Sequence, residues 1–250
     1  MNFRRYRGFW PSFAALLAVG LLSACSQRDD TAAVAQAEAQ AAAAATAKRV
    51  AGLRDLYRKQ TQAGDDAAAA DTGRAIVKMS AGSAAAQEVQ QTLPAIEQRL
   101  RDQAEKTRLA SLWNYQVAPM AGGTQSTASI FSNQRIGGEP VRLVLRRHTQ
   151  WGQSVFLYGG RFVCKATCTL PAMFDGKPFP VRGFLPPTGE PSIMIQDDKG
   201  FIAALMKAKK IVIPVVLQES GRPRELSYDV GGYEATKWAP LPGASAKKKN

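Results

Sequence analysis

The chain has 250 residues, with 33 Lys and Arg against 20 Asp and Glu and a formal net charge of +13. One His and three Cys exclude a structural zinc cluster, a multi-His metal centre and a multi-disulfide scaffold built from this chain alone. Hydrophobic residues make up 45%, enough to bury a core, and the length suits one medium domain with extensions or two small ones.

Residues 1–24 divide into three zones. Arg4, Arg5 and Arg7 give a positive start, residues 9–22 are mostly apolar with Pro11 near their beginning, and Leu22-Ser23-Ala24-Cys25 follows. The apolar run is shorter than the roughly 20 residues a spanning helix needs, so it reads as a signal core. An uncleaved anchor followed by a chance cysteine is the alternative. The order of charge, apolar run and motif resembles the signal of bacterial lipoproteins, whose lipobox ends in a small residue before a cysteine. That resemblance implies cleavage after Ala24 and lipid on Cys25. Ser26, where Asp would retain a lipoprotein in the inner membrane, implies the outer membrane and its periplasmic face. Acyl chains contribute about 0.8 kcal/mol per buried methylene, so several on one cysteine anchor a protein durably.

Residues 25–48 form an Ala-rich spacer, with 11 Ala among residues 31–50 and almost no apolar stripe. Ala is the best helix former, so the segment reads as a solvated helix or a mobile spacer. Residues 49–112 form a helical region. Val50, Leu53 and Tyr57 fall at helical spacing, Gly64 is a C-cap and Asp65 and Asp66 are N-cap residues. A second helix over 66–80 carries Ile76, Val77 and Met79, and Gly82-Ser83 breaks it. Val89, Leu93, Ile96 and Leu100 then step by helical intervals, with Pro94 expected to kink this helix or mark its restart near Thr92. Glu97 with Arg101 and Asp102 with Lys106 stand at i,i+4 in the favourable order. The three helices resemble one tetratricopeptide-type unit, but no second copy follows at a repeat period. A small helical hairpin or coiled stalk is the other reading.

From Trp113 the composition changes. Short apolar or alternating runs at 129–131, 141–145, 155–158, 162–164, 193–195, 211–217 and 226–230 alternate with Gly137-Gly138, Gly159-Gly160, Asp175-Gly176, Pro186-Pro187 and Gly231-Gly232. That spacing predicts an antiparallel β-sandwich or barrel-like domain over 113–235, and a basic tail over 236–250. Val141, Leu143 and Leu145 should point inward and Arg142 outward. Pro214 should place its strand at an edge or a bulge. One helix is expected at about 198–209, with Asp197 and Asp198 at its N-terminus. Phe201, Ile202, Leu205 and Met206 should form its buried face, with Lys207, Lys209 and Lys210 at the negative end of its dipole. The fold class expected is α+β.

Within 113–250, Leu143 and Arg146 on one strand, Phe174-Asp175 at a turn, Phe201, Ile202 and Leu205 on the helix and Asp229 in the last strand carry a further resemblance. In that order they are similar to periplasmic accessory domains of bacterial secretion systems, the type VI accessory proteins being the nearest. The resemblance implies a fold rather than an activity.

Cys164 and Cys168, in C-x3-C spacing, are expected to form a small disulfide in an oxidising compartment; a redox-active pair is the alternative. His148, the one histidine, has no nucleophile motif near it and is expected at a solvated strand end. No phosphate-binding loop is present. No catalytic residue, metal site or cofactor is expected. Two basic clusters remain, Arg142, Arg146, Arg147 and His148 near Trp151, and Lys207, Lys209 and Lys210 with the tail lysines 247–249. Residues 113–250 hold 18 Lys and Arg against nine Asp and Glu, whereas 25–112 hold 12 against 11. These clusters are candidates for anionic lipid, cell-wall anions or an acidic protein partner, and solvated faces that keep the protein soluble are the other reading; the export signal argues against nucleic acid. The expected role is a lipid-anchored, non-enzymatic binding or accessory module of the envelope. The alternative is an inhibitor or immunity-type lipoprotein that binds a periplasmic enzyme.

Overall fold

The computed structural model describes residues 24–136, 138–218, 221–238 and 240–241. The signal-like residues 1–23, most of the basic tail (242–250, with its lysines) and the side chain of Cys25 lie outside the described residues. The architecture is α+β: helices first, then two antiparallel sheets with one further helix. Two compact units divide the chain, Met1–Gln98 and Arg99–Asn250.

The first unit contains α1 (Ala24–Ala63), α2 (Asp66–Met79) and most of α3 (Ala84–Ser111). Spacer and first helix are continuous, and residues 31–49 are exposed throughout, as expected of a helix with no apolar stripe. Forty residues at 1.5 Å each span about 60 Å. Gly64, at φ +72°, ends α1 in a Schellman motif: Asp65 N donates to Gln60 O at 3.0 Å and Gly64 N to Thr61 O at 3.2 Å. Asp65 then caps α2 by accepting from Ala68 N. Val50, Tyr57, Ala69, Ala70, Ile76, Ala86, Val89, Leu93 and Ile96 are buried. Tyr57 Oη and Thr92 Oγ1 share a 2.7 Å hydrogen bond, Glu88 accepts from Arg58 and pairs with Arg54, and Arg74 reaches Glu97 at 2.8 Å. Pro94 neither breaks nor restarts α3, which runs through it as one helix.

The second unit carries β1 (Trp113–Met120), β2 (Gly123–Ile136), β3 (Glu139–His148), β4 (Gly152–Tyr158), β5 (Cys168–Leu170), β6 (Met173–Phe174), β7 (Lys177–Pro178), β8 (Val181–Phe184), β9 (Ser192–Ile195), α4 (Asp198–Leu205), β10 (Ile211–Val216) and β11 (Pro223–Tyr228). A seven-stranded sheet has the order β1-β2-β3-β4-β9-β8-β5, and a four-stranded sheet the order β11-β10-β6-β7. Their facing sides enclose one core, with Val141, Leu143, Leu145, Val155, Leu157 and Ile193 from the first and Ile211, Ile213, Leu226 and Tyr228 from the second. The expected inward and outward alternation around Arg142 holds. The run at 162–164 is not a strand; only Phe162 bridges, to Leu217. Pro214 sits inside a sheet, but in a gap: β6 pairs with Ile211 and Val212, and the Phe162 bridge lies beyond at Leu217. Its missing N–H is therefore not needed on that side.

Two tight hairpins need positive φ at both central positions, the geometry of a type I′ turn. Asp175-Gly176 (φ 49° and 76°) joins β6 to β7, and Ala121-Gly122 (φ 45° and 77°) joins β1 to β2. α4 is shorter than expected and ends at Leu205. The chain then tightens into three-residue turns, Lys207 N donating to Ala204 O and Ala208 N to Leu205 O. That tightening brings Ala208 inward and leaves Met206, expected to be buried, 59% exposed. It also places Lys207, Lys209 and Lys210 beyond the helix rather than on its last turn. After β11 the chain forms a 3₁₀ turn (Val230–Gly232) and folds back over the core. Trp238 Nε1 donates to Ser126 O at 3.1 Å, and Trp113 Nε1 to Val230 O at 3.4 Å. Gly232 lies so close to the Leu109 carbonyl group and the Ala110 amide that a Cβ there would overlap them.

Candidate functional site

The basic cluster expected around β3 separates into three environments: strand alternation turns Arg147 away from Arg142 and Arg146, and the turn after β3 encloses His148. Arg142 and Arg146 lie on the outer face of the seven-stranded sheet. Pairing sets Arg142 directly between Phe131 of β2 and Tyr158 of β4. Its guanidinium carbon lies 5.4 Å from the Phe131 ring centre and 5.5 Å from that of Tyr158. Arg146 repeats the arrangement four residues on, 5.0 Å from Phe156 and 5.2 Å from Trp151, with Nε donating to Ser154 Oγ at 3.1 Å. Between the two arginines sits Val144, buried and flanked by Ser129 and Phe156. Met194 extends this apolar row on β9. Phe131, Trp151 and Tyr158 are 52%, 51% and 38% exposed.

The electrostatics of this face are unbalanced. Among the described residues, neither Arg142 nor Arg146 makes an ion pair. Arg142 Nε is buried with no hydrogen-bond partner. Burial pushes the Arg146 guanidinium below its ordinary value, with the charge of Glu190 acting in the opposite direction.

Arg147 belongs to the fold instead. Its Nη1 donates to Trp238 O at 2.6 Å and its guanidinium lies 3.7 Å from the centre of the Trp238 ring. His148, expected at a solvated strand end, is 1% exposed. Its Nδ1 accepts from the amides of Gln150 (3.1 Å) and Trp151 (3.3 Å), which leaves Nε2 as the donor to Met120 O at 2.9 Å. The ring stacks on Trp151 at 3.9 Å. Both nitrogens are committed to the β3–β4 turn and the β1–β2 hairpin, so the ring offers no free base.

Lys207, Lys209 and Lys210 do not join this cluster. They precede β10 of the other sheet, and the Asp175 carboxylate accepts from the amides of Lys209 and Lys210. Asp197 and Asp198 are spent on α4 and its neighbour: Asp197 Oδ1 accepts from Gly200 N, and Asp198 Oδ2 from Gln153 Nε2. Cys164 and Cys168 stand at disulfide distance, with Cα atoms 5.5 Å apart, on the loop entering β5.

Sequence reading found the two arginines and Trp151 beside them, but not the three rings that come from the strands. Phe131, Phe156 and Tyr158 stood in predicted strands, yet their facing depends on register. A bulge between Phe131 and Arg135 shifts the β2–β3 pairing by two residues. Counting back evenly from the Gly137-Gly138 turn would have set Asn133 opposite Arg142. Among the described residues no group of His, Cys, Asp and Glu is arranged to hold a metal, and no helix is long and apolar enough to cross a membrane. No protein-family model matches the chain, and neither a curated protein nor a solved structure matches it.

Proposed function

We propose that this chain is a lipid-anchored protein of the bacterial outer membrane, facing the periplasm, that works as a non-enzymatic binding or accessory module of an envelope assembly. Cys25 carries the lipid, and the outer face of the seven-stranded sheet is the contact surface. The observation that carries the reading is that face, where three exposed aromatic side chains surround two arginines that make no ion pair among the described residues. Trp, Tyr and Arg are the residues that dominate binding energy at protein interfaces, and exposed apolar patches on soluble domains mark interaction sites. The engagement of His148 and the two aspartates in hydrogen bonds supports a non-enzymatic role.

The anchor and the surface are tested separately in the full-length chain. Cys25→Ala should abolish incorporation of labelled palmitate and move the protein out of the membrane fraction. The double variant Phe131→Ala, Tyr158→Ala should stay anchored but lose proteins that co-purify with the wild type from its native envelope. Unchanged co-purification would exclude this face as the contact surface.

A further inference from the structure

The spacing and chemistry of the outer face point to a more specific occupant, and the argument rests on the binding-module reading above. We propose that the face receives a segment of a partner protein presenting two carboxylates on either side of an apolar stretch, one to Arg142 and one to Arg146. Four residue steps lead from one arginine to the other, which sets their Cα atoms about 13 Å apart along β3. Each guanidinium is held by rings that contact it without neutralising it. Arg142 has rings from both neighbouring strands, Arg146 one ring from β4 and one from the turn after β3. A ring face attracts the cation but accepts little of its hydrogen-bonding capacity, so in-plane N–H groups remain for a planar acceptor. Carboxylates match that planar fork in a bidentate manner.

The floor between the arginines selects the class of partner. Val144, Phe156 and Met194 form an apolar strip there, and no third cation stands in the row. A nucleic-acid strand carries one charge about every 3.4 Å, so roughly two or three phosphates would lie unmatched over that strip. A protein segment can set charges far apart with apolar side chains between them. The net basic balance of 113–250, 18 Lys and Arg to nine Asp and Glu, favours the encounter at long range.

The test is site-specific photo-cross-linking of the full-length chain in its native envelope, with mass spectrometry of the adduct. Tyr158→p-benzoyl-phenylalanine and Trp151→p-benzoyl-phenylalanine probe the face, and Val163→p-benzoyl-phenylalanine, exposed on the loop before the disulfide, is the control. The expected result is one partner segment attached from positions 158 and 151 but not 163, with Asp or Glu flanking apolar residues. Arg142→Glu with Arg146→Glu should cut the adduct yield roughly tenfold or more, and replacing the mapped partner carboxylates by Lys should restore it. Adducts to lipid, glycan or nucleic acid would overturn the proposal, as would a protein adduct indifferent to charge reversal. A protein adduct whose segment lacks carboxylates would refute the paired-carboxylate occupant while leaving the binding module standing. Absence of any adduct from both 151 and 158 would refute both.

Discussion

The two faces of the seven-stranded sheet are made by the same strands, one residue out of step, and they have opposite chemistry. Leu143, Leu145, Val155 and Leu157 of the inner face are fully buried against the second sheet. On the outer face the corresponding neighbours are Arg142, Arg146, Phe156 and Tyr158, and cations alternate with rings. Arg146 and Arg147 are adjacent in the chain and show the difference most sharply. Arg147 has a carbonyl, a stacked indole and a structural task. Arg146 has two rings, one hydroxyl and no carboxylate within ion-pair reach among the described residues. On the proposed function, similar groups on one strand serve stability on one side and recognition on the other.

If that division is correct, truncation should cost most on the inner face. Leu143→Ala removes a fully buried side chain from the centre of the core and should destabilise the C-terminal unit by about 3 kcal/mol, read by urea unfolding. Arg147→Ala should cost about 2 kcal/mol, since it loses a charged hydrogen bond and a close cation–π contact and loosens the segment after β11 that carries Trp238. Arg147→Lys should recover only part of that loss, because an ammonium cannot stack on the indole as a planar guanidinium does. A loss below about 0.5 kcal/mol for Arg147→Ala would put it with the outer arginines and erase the distinction.

The inner face was legible in the sequence and the outer face only half so. Alternation from Val141 to Leu145 is local, and it places Arg142 outward without knowledge of any other strand. Helix caps are local too, so Gly64, Asp65 and Asp197 were readable from residue type. The rings beside the arginines depend on pairing across strands, and the β2 bulge removes the even count that would have predicted them. β5 to β8 are only two to four residues long, too short to show a period, and were missed. His148 was misread because its ring stacks under Trp151 and spends both nitrogens on the backbone of Gln150, Trp151 and Met120, the last of which comes from another hairpin. Gly231-Gly232 was read as a turn and lies in the 3₁₀ turn, but the close approach of α3 to Gly232 was not legible.

Tyr233 and Tyr228 should also make stability sensitive to alkali. Burial raises Tyr233 to about 12 from an ordinary 10, and raises the fully buried Tyr228 as well. A folded-state value above the unfolded one means the stabilisation is whole below pH 10 and is lost as pH rises from 10 through 12. The urea midpoint should therefore hold up to about pH 9.5 and fall above pH 10, while Tyr absorbance at alkaline pH lags behind that of the unfolded chain. Tyr228 Oη is buried with no hydrogen-bond partner, so Tyr228→Phe should raise stability at pH 7 by about 1 kcal/mol and flatten the alkaline fall. A destabilised Tyr228→Phe would reveal that the hydroxyl holds something the fold requires.

The smallest stability effects belong to the arginines assigned to recognition. Arg142→Ala gives up two cation–π contacts, each about 0.5 kcal/mol at an exposed site, but also removes a buried Nε that has no partner. The two changes oppose each other, and the net should stay within about 0.5 kcal/mol, as it does for most surface substitutions. Arg146→Ala loses its two rings and the Ser154 hydrogen bond and should cost no more than about 1 kcal/mol. Both should weaken partner cross-linking far more than they weaken folding, and that separation is the decisive measurement. If either costs as much stability as Arg147→Ala, the arginine is a staple between strands, its rings belong to the fold, and the outer face has no surplus binding capacity to offer.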